Sequence, residues 1–409
     1  MKKLFLIIAL ILCLVAQVSA ARLDTIGFEL NSLTAGVELD GILAGTGSGI
    51  SITTSPVHSG TYAFKSLNSN GTILYYKTVT ASASGRTYYT RFYLYVTTAP
   101  TPAIIIFSFT DTVGTGGWQL LLNSNRTLQL QKFSNNANIG SASAALNTGQ
   151  WYCIEVSYAY TGGATAARID QAAAFASGTG DASIALDTPS FGPGTSFTGE
   201  IEYDDIAIND DQGTAQNSWP GNGKVIHLHP AGAGESNSWL KSNAGAGDAN
   251  NYNQVNGVTP DDATTYLESH ILNASDLYTF GASGINSYDV VNVVQVGCRF
   301  SCSSTTTTGG FKLQIEKANA GTKSLSAEIV PNATSWKTNT NAVPWKYPLT
   351  LYLDPDNSVA WTQATLDTLR AGMICSSAGV VGLDYMSTVW VLVDYTTGTP
   401  PAGIKQGLW

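Results

Sequence analysis

The sequence predicts an all-β protein, and three observations predict it. Helical periodicity is almost absent from the 409 residues. Runs rich in β-branched and aromatic residues recur about every ten positions. The segments between them are dense in Gly, Asn, Ser and Pro, the residues that make turns. Many short strands without helices build a β-sandwich or jelly roll, because each sheet must bury one face against another.

The elements follow in order. Met1-Lys2-Lys3, an apolar run from Leu4 to Ala16 and small residues at Val18 and Ala20 predict a secretory signal over residues 1–20. The run is shorter than the ~20 residues of a spanning helix, and no later run is long enough to cross a bilayer. Thr87–Val96 carries strand-forming residues throughout. Ala103–Phe109 is continuously apolar, as expected of a central strand buried on both faces. Trp118–Leu122, Thr127–Lys132, Trp151–Tyr160 and Ile201–Ile208 complete a first set. Asp211–Gly223 is polar, with Pro220 and three glycines, and reads as a boundary. Strands then restart at Val225–Leu228, Tyr288–Phe300, Phe311–Glu316, Leu349–Leu353 and Val389–Tyr395. One short helix is predicted over Ala364–Leu369, capped by Thr362. Thr305–Thr308 is a loop tip. The expected organisation is a signal (1–20), a first sandwich (21–211), a linker (212–223), a second β-sandwich or jelly roll (224–396) and an extended tail (397–409).

Composition restricts the partners. Only 12% of residues are charged. Removing Lys2 and Lys3 from 20 basic residues leaves 18 against 29 acidic, a net charge of −11. That balance argues against nucleic acid and anionic membrane as partners. The surface is expected to be neutral and hydroxyl-rich, as suits a secreted or cell-surface protein. Cys13 leaves with the signal, and Cys153, Cys298, Cys302 and Cys375 remain. Export permits disulfides, and four cysteines allow three pairings. Cys298 and Cys302 are roughly 13 Å apart in extended chain, too far for a direct bridge unless the chain bends. Either one is a candidate partner for Cys375. Cys153 is expected to be a buried thiol.

Four stretches carry a resemblance. Gly27-Phe28-Glu29 stands near the start of the mature chain, followed by Ser59-Gly60-Thr61-Tyr62-Ala63-Phe64-Lys65. Next come Thr148-Gly149-Gln150-Trp151-Tyr152-Cys153-Ile154-Glu155-Val156 and Gly199-Glu200-Ile201-Glu202-Tyr203-Asp204-Asp205-Ile206-Ala207-Ile208. In this order they resemble the concanavalin A-like lectin/glucanase superfamily, closest to its laminin-G-like and MAM-like members. The second half contains Asn217-Ser218-Trp219-Pro220-Gly221, Pro260-Asp261-Asp262, Thr264-Thr265-Tyr266 and Ala360-Trp361-Thr362. It resembles the module that follows such a sandwich in phage and prophage structural proteins of tail or fibre type. An export signal departs from that pattern.

The resemblance implies a structural calcium ion held by Glu29 and Asp205 at one edge of the sandwich, with Asp24 or Asp204 assisting. The alternative is that Asp205 caps backbone amides or pairs with Lys65 or Arg91. Glucanases of this superfamily carry a Glu-x-Asp-x-x-Glu strand. Here the nearest string is Glu200-Ile201-Glu202-Tyr203-Asp204-Asp205, in the closing strand and with different spacing. Sugar rings stack on flat aromatic faces, and Trp118, Tyr88 and Tyr89 are the candidate ligand-binding residues. Trp151 shares a strand face with Cys153 and reads as core. His227 and His229 share a strand face without a third ligand, and read as a solvated strand. No nucleophile elbow, His-Glu-x-x-His pattern or triad is present. The expected function is non-enzymatic carbohydrate binding and structure at a surface. A purely structural, self-assembling subunit of a fibre, sheath or virion is the alternative, and a glycoside hydrolase or polysaccharide lyase is the third reading.

Overall fold

The computed structural model describes residues 21–34, 37–39, 41–43, 49–68, 73–75, 85–111, 113–193, 195–242, 246–262, 264–305, 309–318, 321–338, 347–377 and 383–400. The expected signal, the tip at 306–308 and the tail beyond 400 lie outside them. The all-β expectation holds: the described residues form four antiparallel sheets and one single-turn α-helix. That helix is Gln363–Leu366, where Thr362 caps the Thr365 amide through a complete capping box.

The first half forms two sheets. The larger has eight strands, in the order Ala176–Thr179, Ala164–Ile169, Trp151–Ala159, Thr87–Thr101, Thr198–Asp210, Ala63–Leu67 and Ile50–Thr53, with Arg22–Ile26 also on Thr198–Asp210. The smaller has six: Gly41–Leu43, Ile73–Tyr75, Thr188–Phe191, Ile104–Thr110, Gly117–Leu122 and Leu128–Lys132. Alternate residues of each large strand face the space between the sheets. There Phe92 stacks on Phe107 at 4.8 Å, and Phe107 on Trp118 at 5.5 Å. Ile104–Thr110 is buried almost throughout, as its continuous apolar run predicts.

The closing strand Thr198–Asp210 shares one edge between two partners. Ala63–Leu67 pairs with Glu200–Tyr203, and Arg22–Ile26 pairs with Ile206–Asn209. The register slips between Asp204 and Ala207, and Asp205 takes a left-handed φ of 48°. A bulge of this kind re-aims side chains. Both aspartates are thereby turned onto the loop that enters between the two partner strands.

The second half repeats the plan. A six-stranded sheet runs Leu240–Lys241, Leu267–Ser269, Asp384–Thr396, Val290–Cys302 and Leu349–Leu351, with Lys224–Leu228 on Asp384–Thr396. A five-stranded sheet runs Pro230–Asn237, Ser275–Phe280, Arg370–Ser377, Gly310–Glu316 and Ser324–Leu325. Trp239, Phe300, Phe311 and Met373 are among the side chains that fill the space between them.

The halves meet through a small apolar cluster that includes Leu30, Val225, Trp390 and Leu392. Beside it lies a buried polar junction. Asp394 accepts hydrogen bonds from Arg22 at 2.5 Å, Arg91 at 3.2 Å and Asn292 at 3.1 Å. Burial works to raise the Asp394 pKa, and the Arg91 and Arg22 guanidiniums together hold it below the usual value. Thr25 donates to Gln295 across the same junction at 2.7 Å. The connecting segment is pinned to the first sheet, with the Gly221 amide on Glu155 at 2.8 Å and Trp219 under the Arg168 guanidinium at 4.2 Å.

Candidate functional site on the outer face of the eight-stranded sheet

Of the carboxylates expected to bind calcium, Glu29, Asp204 and Asp205 are brought near one another, and each of the four is occupied by protein N–H or O–H donors. Glu29 accepts from the amides of Thr61 and Tyr62 at 3.0 and 3.1 Å. Gly60 sits at φ 63° with no room for a side chain, since an added Cβ would lie 2.1 Å from Glu29 Oε1. Asp204 accepts from the His58 and Ser59 amides. Asp205 accepts from the Ser59 hydroxyl at 2.6 Å, His58 Nδ1 at 2.5 Å and the Val225 amide at 2.8 Å. Asp24 accepts from the Thr25 amide at 2.7 Å. Calcium prefers six to eight free oxygen ligands. Here the lone pairs face protons, and among the described residues no group of three or more His, Cys, Asp or Glu side chains is placed to hold a metal ion. The donor set therefore does not fit the ion that the resemblance implied. Capping of backbone amides, the alternative for Asp205, is what the geometry presents. Burial pushes Glu29 up to about 8, against the Tyr62 and Thr61 amides. Burial and the neighbouring Asp205 also raise Asp204 well above the carboxylate range.

Two of the three expected stacking residues are corrected. Trp118 and Tyr88 are each 1% exposed and belong to the core between the sheets. Tyr89 lies on the outer face but packs against Trp219 of the connecting segment at 5.5 Å. Trp151 is corrected in the other direction. It shares a face with Cys153 as expected, yet Tyr152, Ile154 and Val156 are the residues that enter the core. Trp151 is therefore on the outer face and half-buried. Counting alternation from Cys153 fixed the face without saying which face is covered.

The register places Trp151 at the end of one row across five strands. Ser51 pairs with Lys65, Lys65 with Glu202, Glu202 with Tyr95, and Tyr95 with Trp151. Their neighbours Phe64, Tyr203, Leu94 and Tyr152 point into the core, so the whole row faces outward. The Tyr95 and Trp151 rings are 5.2 Å apart and tilted by 58°. His58 stacks on Tyr93 at 3.5 Å and meets the Trp151 edge at 5.8 Å. At the other end Lys65 pairs with Glu200, and the Thr97 hydroxyl donates to Glu202 at 3.0 Å. Burial pushes Glu202 up to about 7 against the Thr97 bond, and the Glu200 carboxyl within hydrogen-bonding reach raises it further. A cleft of about 320 Å³ adjoins the row where the halves meet, lined by His58, Tyr93, Asp170, Lys224 and Thr396 among others. The row thus offers stacking rings and a cation beside the accessible Glu200 carboxyl, while Glu202 itself is fully covered.

The other candidates are placed as follows. Cys298, Cys302 and Cys375 form no bridge; they and Cys153 are free and buried. Burial raises every one of these thiols, Cys153 to about 12 and Cys375 to about 11, which removes the thiolate that nucleophilic chemistry needs. His227 is not solvated, its side chain being fully covered, and His229 is half-buried. Burial lowers both, His229 to about 4, and the His227 ring lies over Trp390 at 6.0 Å. The described residues include no helix long and apolar enough to cross a membrane.

No family model matches this chain, and no curated protein matches it. Solved structures match over a little under half of its length. One is "Cellulose induced protein, Cip1", 16% identical with a TM-score of 0.37, covering 49% of this chain and 99% of that one. A second is domain 4 of AbnA, a GH43 extracellular arabinanase from Geobacillus stearothermophilus, in complex with arabinotriose. It is 14% identical with a TM-score of 0.31, covering 47% and 93%. A third is a galectin-like protein from Bacillus subtilis, 12% identical with a TM-score of 0.31, covering 46% and 96%. At these values no ligand or activity transfers to this chain, which leaves its own outer face as the basis for a functional reading.

Proposed function

We propose that this chain is a secreted polysaccharide-binding protein that holds glycan on the outer face of its eight-stranded sheet. The observation that carries the reading is the Ser51–Lys65–Glu202–Tyr95–Trp151 row. A sugar presents a flat apolar face and a rim of hydroxyls. It needs an uncovered aromatic plane beside polar groups held in fixed places. Trp151 and Tyr95 supply the plane, and Glu200, Lys65 and Thr97, all of which reach solvent, supply partners for hydroxyls, with Glu202 buried beneath them. Burial on a sheet keeps these groups in place before the ligand arrives, which lowers the ordering cost of binding. Affinity electrophoresis of the mature chain in gels containing neutral polysaccharides tests this. Retardation by at least one of them, lost on Trp151→Ala and weakened on Tyr95→Ala, is expected. Retardation unchanged in Trp151→Ala would end the proposal.

One observation favours a hydrolytic second reading: Glu202 is held near neutrality beside a second carboxyl. General acid catalysis uses such a group. Glycosidases, however, separate their two carboxyls by ~5 Å or more to admit the sugar or a water, and here the pair is within hydrogen-bonding reach. Reducing-sugar release that disappears in both Glu200→Gln and Glu202→Gln would establish hydrolysis instead. Surface assembly of fibre or sheath type rests on the resemblance of the second half, the low charge and the Thr-, Gly- and Ser-rich composition, and sedimentation across a concentration series tests it directly.

A further inference from the structure

The motifs Pro260-Asp261-Asp262 and Thr264-Thr265-Tyr266 are not used by the first half, and the structure gives them a joint task. Asp261 accepts the Thr265 hydroxyl at 2.9 and 2.8 Å, which fixes the turn leading into Tyr266. Asp262 grips Arg299 side-on through two bonds of 2.6 and 2.7 Å and accepts Ser387 at 3.3 Å. Leu267 and Met386 enter the core, so Tyr266, Glu268 and Tyr385 stand on the outer face of the six-stranded sheet. A third ring, Trp336, is brought alongside by the Phe300–Lys337 bridge. Tyr266 lies 5.0 Å from Tyr385 and 5.8 Å from Trp336, and Trp336 lies 6.3 Å from Tyr385. All three rings are half-buried.

Glu268 pairs with Tyr385 across the strands. Its residue is 9% exposed, and its carboxyl oxygens, to which no described group is seen to donate, keep contact with solvent at the outer face. A carboxyl at the edge of three rings, met by solvent rather than by a protein donor, is an acceptor that a ligand hydroxyl can reach. The ring spacing decides between ligands. An aromatic cage for a quaternary ammonium leaves room for the cation between its rings. Centroids 5.0–6.3 Å apart are in direct ring contact, so they form a platform with no interior. An acidic glycan would meet the Glu268 carboxyl and a chain of formal net charge −9. A neutral sugar fits both features, with its apolar face on the rings and a hydroxyl donated to Glu268.

We infer that the outer face of the second half carries its own binding site for neutral glycan, built from Tyr266, Trp336 and Tyr385 with Glu268 as hydroxyl acceptor. It shares no residue with the row on the first half and stands or falls separately from it. The test is co-sedimentation of the full mature chain with microcrystalline cellulose, chitin, insoluble xylan and peptidoglycan, with soluble pectate as an acidic competitor. Trp336→Ala is expected to weaken binding to at least one of the insoluble glycans about tenfold, Glu268→Gln about threefold, and Trp336→Phe little. Pectate is expected not to compete. Thermal unfolding checks that each variant folds, and Glu268→Gln keeps the test alive should Trp336→Ala not. Loss in Trp336→Ala with none in Trp151→Ala supports this site while removing the first-half reading. Loss in Trp151→Ala with none in Trp336→Ala or Glu268→Gln overturns this site alone. Absence of binding to every glycan tested overturns it as well.

Discussion

The outer faces of the two large sheets have a covered end and an open end, and the two ends treat carboxylates differently. At the covered end, between the halves, Asp394 has two guanidiniums and an amide, and Asp205 has three donors. Towards the open end Glu202, though buried, has the Thr97 hydroxyl, and the Glu268 carboxyl keeps contact with solvent. The two ends belong to the same sheets, and Glu202 and Asp205 to the same strand, and both ends carry aromatic and charged groups. What differs is saturation. A carboxylate removed from water for structural reasons is usually matched by protein donors, though Glu316 and Asp384 are buried without one and are pushed toward protonation instead. On the proposed reading, one that remains short of protein donors beside uncovered rings is left free to meet a ligand.

The largest effect is expected from breaking the covered end. Asp394→Ala leaves Arg22 and Arg91 buried without their anion and should cost about 3–5 kcal/mol, read by denaturant unfolding; a cost below ~1 kcal/mol would mean that the junction is not what joins the halves. Next, Gly60→Ala forces a left-handed alanine against the Glu29 carboxyl and should cost about 1–3 kcal/mol by the same measurement. If Gly60 tolerates the methyl, the Ser59–Tyr62 loop is not seated on Glu29 as described.

A pH series sharpens the comparison. Glu29 is raised to about 8, and Glu202, Glu316 and Asp384 to about 7, in each case by burial first. In the unfolded chain all four lose their protons well below that. Between pH 6.5 and 8 the folded state therefore holds more protons, and stability must fall as pH rises. His227 and His229 are lowered in the folded state and act in the opposite sense, but only below about 6.5. Thermal unfolding should show the fall, with a shallower slope in Glu29→Gln. A midpoint that rises between pH 6.5 and 8 would contradict these assignments. The smallest effect concerns the thiols: reductant should leave the unfolding midpoint of the mature chain unchanged, and a lowered midpoint would restore the disulfide expectation.

Much of the fold was legible in the sequence, because alternation and turn residues are local signals. The strand runs around Thr87–Val96 and Trp151–Tyr160 and the Thr362 cap needed no tertiary information. The site was less legible, because alternation assigns residues to a face but does not say what covers that face. Trp118 and Trp151 carry the same local signal, yet one is core and the other is on the surface. The motif match located Glu29 and Asp205 in one neighbourhood. It could not show that the Ser59–Tyr62 loop and the Val225 amide fill the place of a cation. The row itself is a matter of register across five strands distant in sequence, which no single stretch encodes. The Asp261–Asp262 and Tyr266 motifs were visible from the start, but their use required knowing that Arg299, Trp336 and Tyr385 lie beside them.

The most direct test separates holding from binding. Calorimetric titration of the wild type, Trp151→Ala and Asp394→Asn with the neutral polysaccharide bound most tightly, each paired with a denaturant curve, gives both quantities on the same protein. The prediction is that Trp151→Ala loses about tenfold or more in affinity at nearly unchanged stability, whereas folded Asp394→Asn loses stability at unchanged affinity. Full affinity in Trp151→Ala, or affinity lost in folded Asp394→Asn, would contradict the division between an open binding end and a covered structural one.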